Sequence, residues 1–528
     1  MKFLSSATAS LLRVRNLVDD KYRSKELSYG FILLGATMDN LNVAAAFSMT
    51  ESLQKEMGAS TADATWVVSA YALTLGAFIL LFGKLGDVHG LHKVFTIGLF
   101  VMSIMNLICA VITSNIIPLI VFRAFQGIAG ASLIPSAVGI CGNYFQGPKL
   151  GTAINYLMLA LCASLGLGVV LGGAFSLTSI GYRAFFYFSF AISFLTSIVL
   201  FFIVVPVEKT REHHLLSSKY LNYGGAIFLV GGLLLIICGL TEAGTRWRSP
   251  KVYVTIPVGF VMVLGVLLFE NVYVRPYQKR HPTLDTYRAK LVVLFPADVV
   301  KITNFVPFLV GLTANYAGFT ALMTSLLLYH EFVDGNSAVL SAGKVFCTSA
   351  GIIIGAVIYR PWLQQKIGSK PLLIWSAAVC LGTSIWITRI DHTNKNSFWI
   401  YEFVPQLLYG YGTNLFYQVY LLALLSETPL HLQGNVTGIF QTIGQIGICL
   451  GTAIASSIIG ALDSTKTYTK DYVQTKCVNA LWFTVACFAL ELVMMVFSKN
   501  TRPVAASQDE NTVEDSEDKS DDTCEEKV

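Results

Sequence analysis

Residues 116–140 read IIPLIVFRAFQGIAGASLIPSAVGI, and this stretch determines how the rest of the chain is interpreted. It is apolar and long enough to cross a bilayer as one helix, yet Arg123 lies about 10 Å inside its first end. A guanidinium within lipid costs ~2.5 kcal/mol or more, so it normally faces a polar interior. The stretch therefore predicts a transmembrane helix with a buried charge, the alternative being a packing helix whose arginine reaches back to the surface.

The composition indicates the class of protein. Hydrophobic residues make up 54% of the 528 residues, and charged residues only 13%. A soluble domain is usually about a quarter charged, so we predict an all-α polytopic membrane protein. The ten cysteines contain no Cys-x-x-Cys pair. We therefore predict buried free thiols, with no disulfide framework, metal site or cofactor.

Apolar stretches of membrane-spanning length recur along the chain. They predict fourteen transmembrane helices, at residues 28–49, 65–83, 94–113, 116–140, 151–175, 184–205, 221–240, 252–273, 303–328, 338–359, 371–388, 399–425, 435–460 and 478–497.

Lys and Arg are distributed unevenly between the connecting segments. With the N-terminus inside, the inner segments carry more than twice as many of these residues as the outer loops. Cytoplasmic loops of membrane proteins show such an excess, so both termini are predicted to be cytosolic. The sequon at Asn435 then falls on the inner side and should carry no sugar. The acidic tail, residues 498–528, cannot bury a core and is predicted to be disordered.

The connection between the second and third predicted helices, residues 83–93, reads GKLGDVHGLHK. Its glycines allow a tight turn, and its carboxylate can accept from a helix N-terminus or a nearby cation. The segment resembles the inner-loop motif of the major facilitator superfamily, in which the matching positions are Gly83, Leu85, Asp87, Gly90 and Lys93. The resemblance implies a conformational switch at this loop. An ordinary charged loop is the alternative.

A faint repeat and three further stretches extend the resemblance. The loop recurs at residues 361–370, which implies two six-helix bundles around an inserted helix pair. Residues 123–127 (RAFQG) and the first predicted helix around Asp39 are similar to the fourteen-helix drug–proton antiporters, and in particular to fungal aminotriazole-resistance-type exporters. The antiporter motif of the fifth helix is matched at Gly168, Gly172 and Gly173, although Val169 replaces its proline.

The predicted domains follow from this organisation. They are a cytosolic tail (1–27), an N-terminal six-helix bundle (28–205), an inserted pair with a cytosolic loop (206–302), a C-terminal six-helix bundle (303–497) and the acidic tail (498–528).

Asp39 and Arg123 are the predicted proton-coupling residues. Both are ionisable groups at membrane depth, where charge is expensive. A cation within ~4–6 Å favours the ionised carboxylate and desolvation opposes it. A conformational change that moves Asp39 relative to Arg123 or to water would therefore bind and release a proton. The alternative is a structural Asp39 capped by Asn40, Asn42 or another helix.

Polar and aromatic residues in several predicted helices are candidates for a substrate cavity. Aromatic walls with a few polar groups suit flat or amphipathic organic molecules, although packing and interfacial tyrosine belts are the alternative for each residue. The candidates are Asn42, Gln126, Asn315, Tyr316, Gln406, Tyr409, Asn414 and Gln445.

These features predict a secondary transporter that is not an enzyme, since the histidines fall in loops or at helix ends and no P-loop is found. We expect proton-coupled export of small organic or toxic solutes by a monomer in the plasma membrane, with the vacuolar membrane as alternative. The expected partners are the solute, protons and the lipid bilayer, with no nucleic acid. Val169 keeps open a downhill permease for a small ion such as ammonium. A transporter-like sensor that signals through its acidic tail is the alternative of another class.

Overall fold

The structure is a computed structural model that describes residues 21–502. Its gaps fall at 22, 59–60, 147, 208–219, 221, 246–247, 281–290, 292, 296, 337, 395, 430–431 and 461–468. The predicted tails therefore lie largely outside the described residues: the N-terminal one up to residue 20, and the acidic one from residue 503.

All regular elements in the described part are helical. The α-helices are α1 Lys25–Ser48, α2 Thr50–Met57, α3 Thr61–His89, α4 Leu91–Val111, α5 Ile116–Gly130, α6 Leu133–Tyr144, α7 Pro148–Ser176, α8 Arg183–Ile203, α9 Tyr223–Thr245, α10 Pro250–Leu268, α11 Arg275–Arg280, α12 Phe305–Phe332, α13 Ala338–Val345, α14 Cys347–Ile358, α15 Pro361–Ile367, α16 Ser369–Ile387, α17 Val404–Glu427, α18 Gln433–Ile459 and α19 Lys470–Phe497. Two π-helical turns, Phe269–Val274 and Phe398–Phe403, and one 3-10 turn, Ala297–Lys301, complete the set.

Each of the fourteen predicted apolar segments is helical, although two of them are each divided between two α-helices: 116–140 between α5 and α6, and 338–359 between α13 and α14. Among the described residues, ten helices are long and apolar enough to cross a membrane. The number rises to 11 if Gly343–Ile358 and Pro361–Ile367, which are bent by 68° at a short break, form one span. The count of fourteen transmembrane helices and the cytosolic location of the termini stay predictions.

The two halves of the chain repeat one set of helix pairings. In the first half α1 packs on α7, α3 on α5 and α4 on α8, and in the second α12 packs on α18, α14 on α17 and α16 on α19. Each half can be counted as six spans, with α5 and α6 together as the fourth span of the first half and α13 and α14 together as the second span of the second half. In both halves the first span then pairs with the fifth, the second with the fourth and the third with the sixth. This is the arrangement that the faint repeat at 361–370 predicts, although no finding tests the domain boundaries themselves.

The glycine-rich face of α7 is a packing surface for α1. A Cβ atom at Gly168 would lie 2.7 Å from Ala44 Cβ, and one at Gly172 would lie 2.6 Å from Ala45 O. Small residues of this kind let two helix backbones approach closely in a membrane. Gly173 lies off this contact, since the nearest atom to its Cβ position is 3.9 Å away.

The inserted pair, α9 and α10, packs against both halves. Helix α9 contacts α3 of the first half and α18 of the second. A Cβ at Gly76 of α3 would lie 2.9 Å from Ile237 on α9 and 3.0 Å from Gln445 on α18. The inserted pair therefore covers the line along which the two bundles meet.

The predicted loop at residues 83–93 is almost wholly helical, which corrects the sequence interpretation. Helix α3 continues to His89 and α4 begins at Leu91, so that Gly90 alone separates them. Gly90 has a φ of 101°, a backbone conformation that glycine adopts without steric cost. One residue therefore suffices for the turn, and Asp87 lies on a helix rather than in a loop.

Candidate coupling site and inner gate

Arg123 lies inside the first bundle, as predicted. Its side chain has 0% exposure, and its donors reach three acceptors, two on the neighbouring helices α3 and α1 and one on α5 itself. Nε donates to Val67 O (3.0 Å), Nη1 to Gln126 Oε1 (2.8 Å) and Nη2 to Asn42 O (3.3 Å). These bonds hold the planar guanidinium in one orientation, so the surface alternative for Arg123 is wrong in this structure.

Asp39 of α1 is 1% exposed and interacts with Arg123 through a third residue. The Tyr71 hydroxyl donates a hydrogen bond to Asp39 Oδ1. The Arg123 guanidinium carbon lies over the Tyr71 ring, 4.4 Å from its centroid, in a cation–π contact. Asp39 and Arg123 therefore act on each other across Tyr71, with no ion pair between them in the described structure. Sequence reasoning missed Tyr71, whose ring looks like any other aromatic residue of an apolar helix.

The glycines of the quoted stretch make room for this arrangement. A Cβ at Gly130 would overlap with the Tyr71 hydroxyl and lie 2.5 Å from Asp39 Oδ1. A Cβ at Gly127 would likewise overlap with the Tyr71 carbonyl. Since no other residue type would fit, the close approach of α5 to α3 is part of the site itself.

Two predicted cavity residues belong to the support of Arg123. Gln126 Nε2 donates to Asn42 Oδ1 (3.0 Å) and to Asn106 Oδ1 (2.8 Å), and Asn42 Nδ2 donates to Ser189 Oγ (2.8 Å). Gln126 and Asn42 both have 0% exposure. In this conformation they bind each other and the arginine, which corrects their placement in a cavity wall. Asn106, a polar residue in a predicted membrane helix, could have been found from that feature.

The two halves meet at a contact on the side predicted to face the cytosol, which we name the inner gate after that prediction and define by Gly83, Asp87, Gly434 and Asn435. Asp87 Oδ2 accepts a hydrogen bond from the backbone N–H of Asn435 (3.0 Å), in the first turn of α18. This is the helix N-terminal contact that the sequence allowed, and the helix dipole favours an anion there. A Cβ at Gly83 would lie 2.5 Å from Gly434 O, so the backbones touch.

A second contact joins the bundles on the same side. Gln418 Nε2 of α17 donates to Asn155 Oδ1 of α7 (2.6 Å). Of the other positions of the predicted switch motif, Leu85 is half-buried and Lys93 is exposed. The gate is therefore formed by the glycine and the carboxylate of the motif, and its last lysine faces away.

Three predicted cavity residues of α17 belong to the interior of the second bundle. Tyr409 has 0% exposure and packs against the rings of Phe319 (6.4 Å) and Phe488 (5.3 Å). Gln406 is buried 3.2 Å from Thr348 Oγ1, and buried Asn414 accepts from Gln418 (3.2 Å). Gln406 and Tyr409 share a helical face that α17 packs on its own bundle, and Asn414 is buried there as well, which corrects the cavity interpretation.

Gln445 lies at the junction of the two halves, next to Gly76 of α3, and Tyr316 packs on the same helix as Gln445, at Gly444 and Gly447. Tyr316 and Gln445 are both partly exposed. The Tyr316 ring lies 6.2 Å from that of Tyr417, whose hydroxyl accepts from Gln441 Nε2 (2.6 Å). These residues of α12, α17 and α18 form a tyrosine–glutamine surface that could contact a flat, polar solute.

The remaining candidate, Asn315, is 2% exposed and binds a residue that sequence reasoning missed. Asn315 Nδ2 donates to Glu491 Oε2 of α19 at 3.0 Å. Glu491 has 0% exposure. The signal was available, because Glu491 is the one carboxylate within the predicted segment 478–497, and such residues are functional candidates by default.

Comparison with known proteins places this architecture. A family model described as Major Facilitator Superfamily matches residues 28–452. The low affinity ammonium transporter of Saccharomyces cerevisiae is 26% identical over 75% of this chain and 73% of its own length. The aminotriazole resistance protein of the same yeast is 20% identical over 93% and 88%. The human organic anion transporter MFSD10 (TETRAN) superposes with a TM-score of 0.62 at 12% identity, over 89% of this chain and 99% of that one.

Proposed function

The chain belongs to the major facilitator superfamily, and on that premise we propose that it is a proton-coupled exporter of small organic or toxic solutes. It is a transporter and a multi-pass membrane protein. Its similarity to an aminotriazole resistance protein supports the export of such solutes. We propose that it acts as a monomer in the plasma membrane, with both termini in the cytosol.

The environment of Asp39 is the observation that carries the proposal. The carboxylate is buried in α1, and its Oδ2 has no hydrogen-bond donor among the described residues. A buried carboxylate with one oxygen that lacks a donor exchanges a proton when a conformational change admits water. A cationic or hydrogen-bonding solute would compete with the proton for the same oxygen. Exchange then follows, because two ligands that exclude each other at one site are coupled.

The inner gate supplies the conformational part of the mechanism. The contacts of Asp87 with α18 and of Gln418 with α7 hold the two bundles together on one side of the molecule. A substrate route to that side requires both contacts to break. Protonation or substrate binding at Asp39 would change the relative energy of the two states, which is what a coupled carrier needs.

A second candidate is a permease that carries ammonium or a similar small cation downhill. It is favoured by the relative named as a low affinity ammonium transporter. The antiporter motif also lacks its proline, which Val169 replaces. The difference between the candidates lies in coupling, because a permease equilibrates its solute and has no use for a proton-carrying Asp39.

Transport by the purified protein in sealed proteoliposomes separates the two. With an acidic lumen, the proposed exporter accumulates labelled aminotriazole above the external concentration in exchange for protons. Aminotriazole and the ammonium analogue methylammonium are weak bases that an acidic lumen traps on its own, so protein-free vesicles supply the baseline. Accumulation no greater than this baseline contradicts the exporter. Methylammonium entry that needs the protein and ignores the pH gradient supports the permease.

A further inference from the structure

The second bundle contains a buried carboxylate that the proposed mechanism does not use. Glu491 lies in the middle of α19 with 0% exposure. Its Oε2 accepts the Asn315 hydrogen bond, and its Oε1 has no donor among the described residues. A buried carboxylate usually has its lone pairs satisfied or is paired with a cation. Glu491 therefore requires an explanation.

Two other glutamates are buried among the described residues, and they show what a structural role looks like in this protein. Glu270 accepts from Asn222 Nδ2 (2.9 Å) and from the backbone N–H groups of Leu294 and Phe295 (both 3.0 Å). Glu402 lies 2.8 Å from His330 Nε2 in an ion pair. Each of these carboxylates thus has the donors or the cation that its negative charge needs. Glu491 has a single neutral donor.

The groups that face Glu491 are neutral. Asn315 contacts it from α12, and the nearest titratable side chains are Cys380 on α16, Tyr409 on α17 and Cys487 on α19 itself. No Lys, Arg or His of the described residues forms an ion pair with it. A charge here would have no partner at membrane depth, whereas a carboxylic acid would carry no charge.

The helix that supplies Asn315 also packs on α18, and α18 in turn contacts α3 of the first bundle. Tyr316, the next residue of α12, packs on Gly444 and Gly447 of α18. At its start, α12 is tied to the end of α19, since Asn304 Nδ2 donates to Lys499 O (2.7 Å) and Lys499 N donates to Asn304 Oδ1 (2.6 Å). A movement of α18 against the first bundle that carries α12 with it would therefore displace Asn315 relative to Glu491, while the start of α12 stays held to the end of α19.

We propose that Glu491 is a second proton-binding site, which takes up a proton on Oε1 in the state described and releases it when α12 moves. Only a proton is transferred, so the step converts a carboxylate to a carboxylic acid and back. The inference rests on the proposed proton coupling and adds a site in the second bundle to that of Asp39. Each bundle then contains one exchangeable proton.

Infrared difference spectroscopy of the full-length protein in lipid tests this without a known substrate. Carbon-13 labelling of glutamate alone identifies the C=O stretch of protonated glutamate, and labelling of aspartate alone identifies that of Asp39. We expect a glutamate band that disappears on titration to alkaline pH, is absent from Glu491→Gln and persists in Glu427→Gln, an exposed control. In Asn315→Ala the band should shift, because its hydrogen bond is lost.

Three results would overturn the proposal. The first is the absence of any protonated glutamate band in the unmodified protein, and this measurement does not depend on the folding of a variant. Another is a band that persists in Glu491→Gln, and the third is a band that does not respond to pH, because a permanently neutral side chain exchanges nothing. The aspartate band reports separately on Asp39. A protonated-aspartate band that appears at no pH, or one that is unchanged in Asp39→Asn, would contradict the proposed function and leave the Glu491 site standing.

Discussion

The two bundles repeat one set of helix pairings but treat their buried carboxylates differently. In the first, Asp39 has a donor in Tyr71 and a fixed cation, Arg123, behind the same ring. In the second, Glu491 has the neutral Asn315 alone. A cation nearby lowers the cost of ionising a buried carboxylate, and its absence favours the neutral acid. The architecture therefore provides two positions for a carboxyl group, and the neighbours decide what each one does.

Removal of the cation should have the largest effect. Arg123→Ala leaves the Val67 carbonyl, Gln126 and Asn42 without their donor and Asp39 without its counter-charge. Breaking a buried charged network of this kind costs roughly 3–5 kcal/mol. We expect a lower unfolding temperature in detergent and loss of gradient-driven transport. Arg123→Lys keeps the positive charge but loses the planar guanidinium and its several donors, so it should recover part of the stability. An Arg123→Ala protein as stable as the unmodified one would show that the network carries no such energy.

Tyr71→Phe removes the neutral donor that Asp39 has in common with Glu491 and keeps the ring beneath Arg123, so it tests the donor apart from the cation. A hydrogen bond to a charged group contributes about 1.5–3 kcal/mol, so the pH dependence of transport should shift measurably. Tyr253→Phe is the matched control, because Tyr253 is exposed on α10. Identical pH profiles for Tyr71→Phe and the control would remove Tyr71 from the coupling site.

The inner gate is asymmetric in the same way. In the first half, the carboxylate of Asp87 caps the start of α18. In the second half, the repeated segment 361–370 contacts α7 through Pro361, which packs against Gly151, and this contact contains no charged group. Asp87→Asn keeps an acceptor and loses the charge, a change of about 1 kcal/mol. It should slow the switch between the two states and leave substrate affinity nearly unchanged. Equilibrium binding and exchange rates measured on one preparation check this, and a parallel loss of both would contradict it.

The smallest effect is expected at the end of the second bundle where α12 stops and α13 begins. Lys344 Nζ donates to Asp334 Oδ2 (2.7 Å), and His330 Nδ1 lies 2.9 Å from the same oxygen. Burial alone would raise the pKa of Asp334, but these two partners lower it from 3.8 to about 2. The stabilisation is then complete above about pH 4 and disappears as the pH falls toward 2. Asp334 is partly exposed, which reduces the effect.

Unfolding temperatures measured across that pH range should decline more steeply for the unmodified protein than for Asp334→Asn. The two curves should converge at the acid end, where the unmodified carboxyl is protonated and both side chains are neutral. Parallel curves over the whole range would show that the contacts with Lys344 and His330 contribute nothing to stability.

The helical architecture was predictable because apolar length and the charge of the loops report directly on the membrane. The burial of Arg123 was predictable for the same reason, since a charge within an apolar stretch has few places to go. What stands beside Arg123 was not predictable. Whether the Tyr71 hydroxyl meets Asp39 depends on how α3 rotates against α1, and an apolar helix such as α3 contains no pattern that reports this rotation.

On α17 the sequence interpretation was wrong in the opposite way, because it predicted a site that the structure does not contain. Tyr409 and Gln406 share a helical face, and that face was interpreted as a cavity wall. In the structure the face packs into its own bundle, where Phe319 and Phe488 enclose the tyrosine. Periodicity identifies which residues lie together, and only the packing of whole helices decides whether they face a cavity or the interior of a bundle.

Asp39→Asn tests the central claim, that Asp39 is the group through which a proton gradient drives transport. The amide keeps the shape of the side chain but cannot ionise. In proteoliposomes with an imposed pH gradient, the variant should accumulate no aminotriazole above protein-free vesicles, while Glu427→Gln matches the unmodified protein. Exchange of labelled for unlabelled solute without a gradient should persist in part. If Asp39→Asn, reconstituted at equal density, still concentrates solute to the unmodified level, Asp39 does not couple transport to protons and the account is wrong.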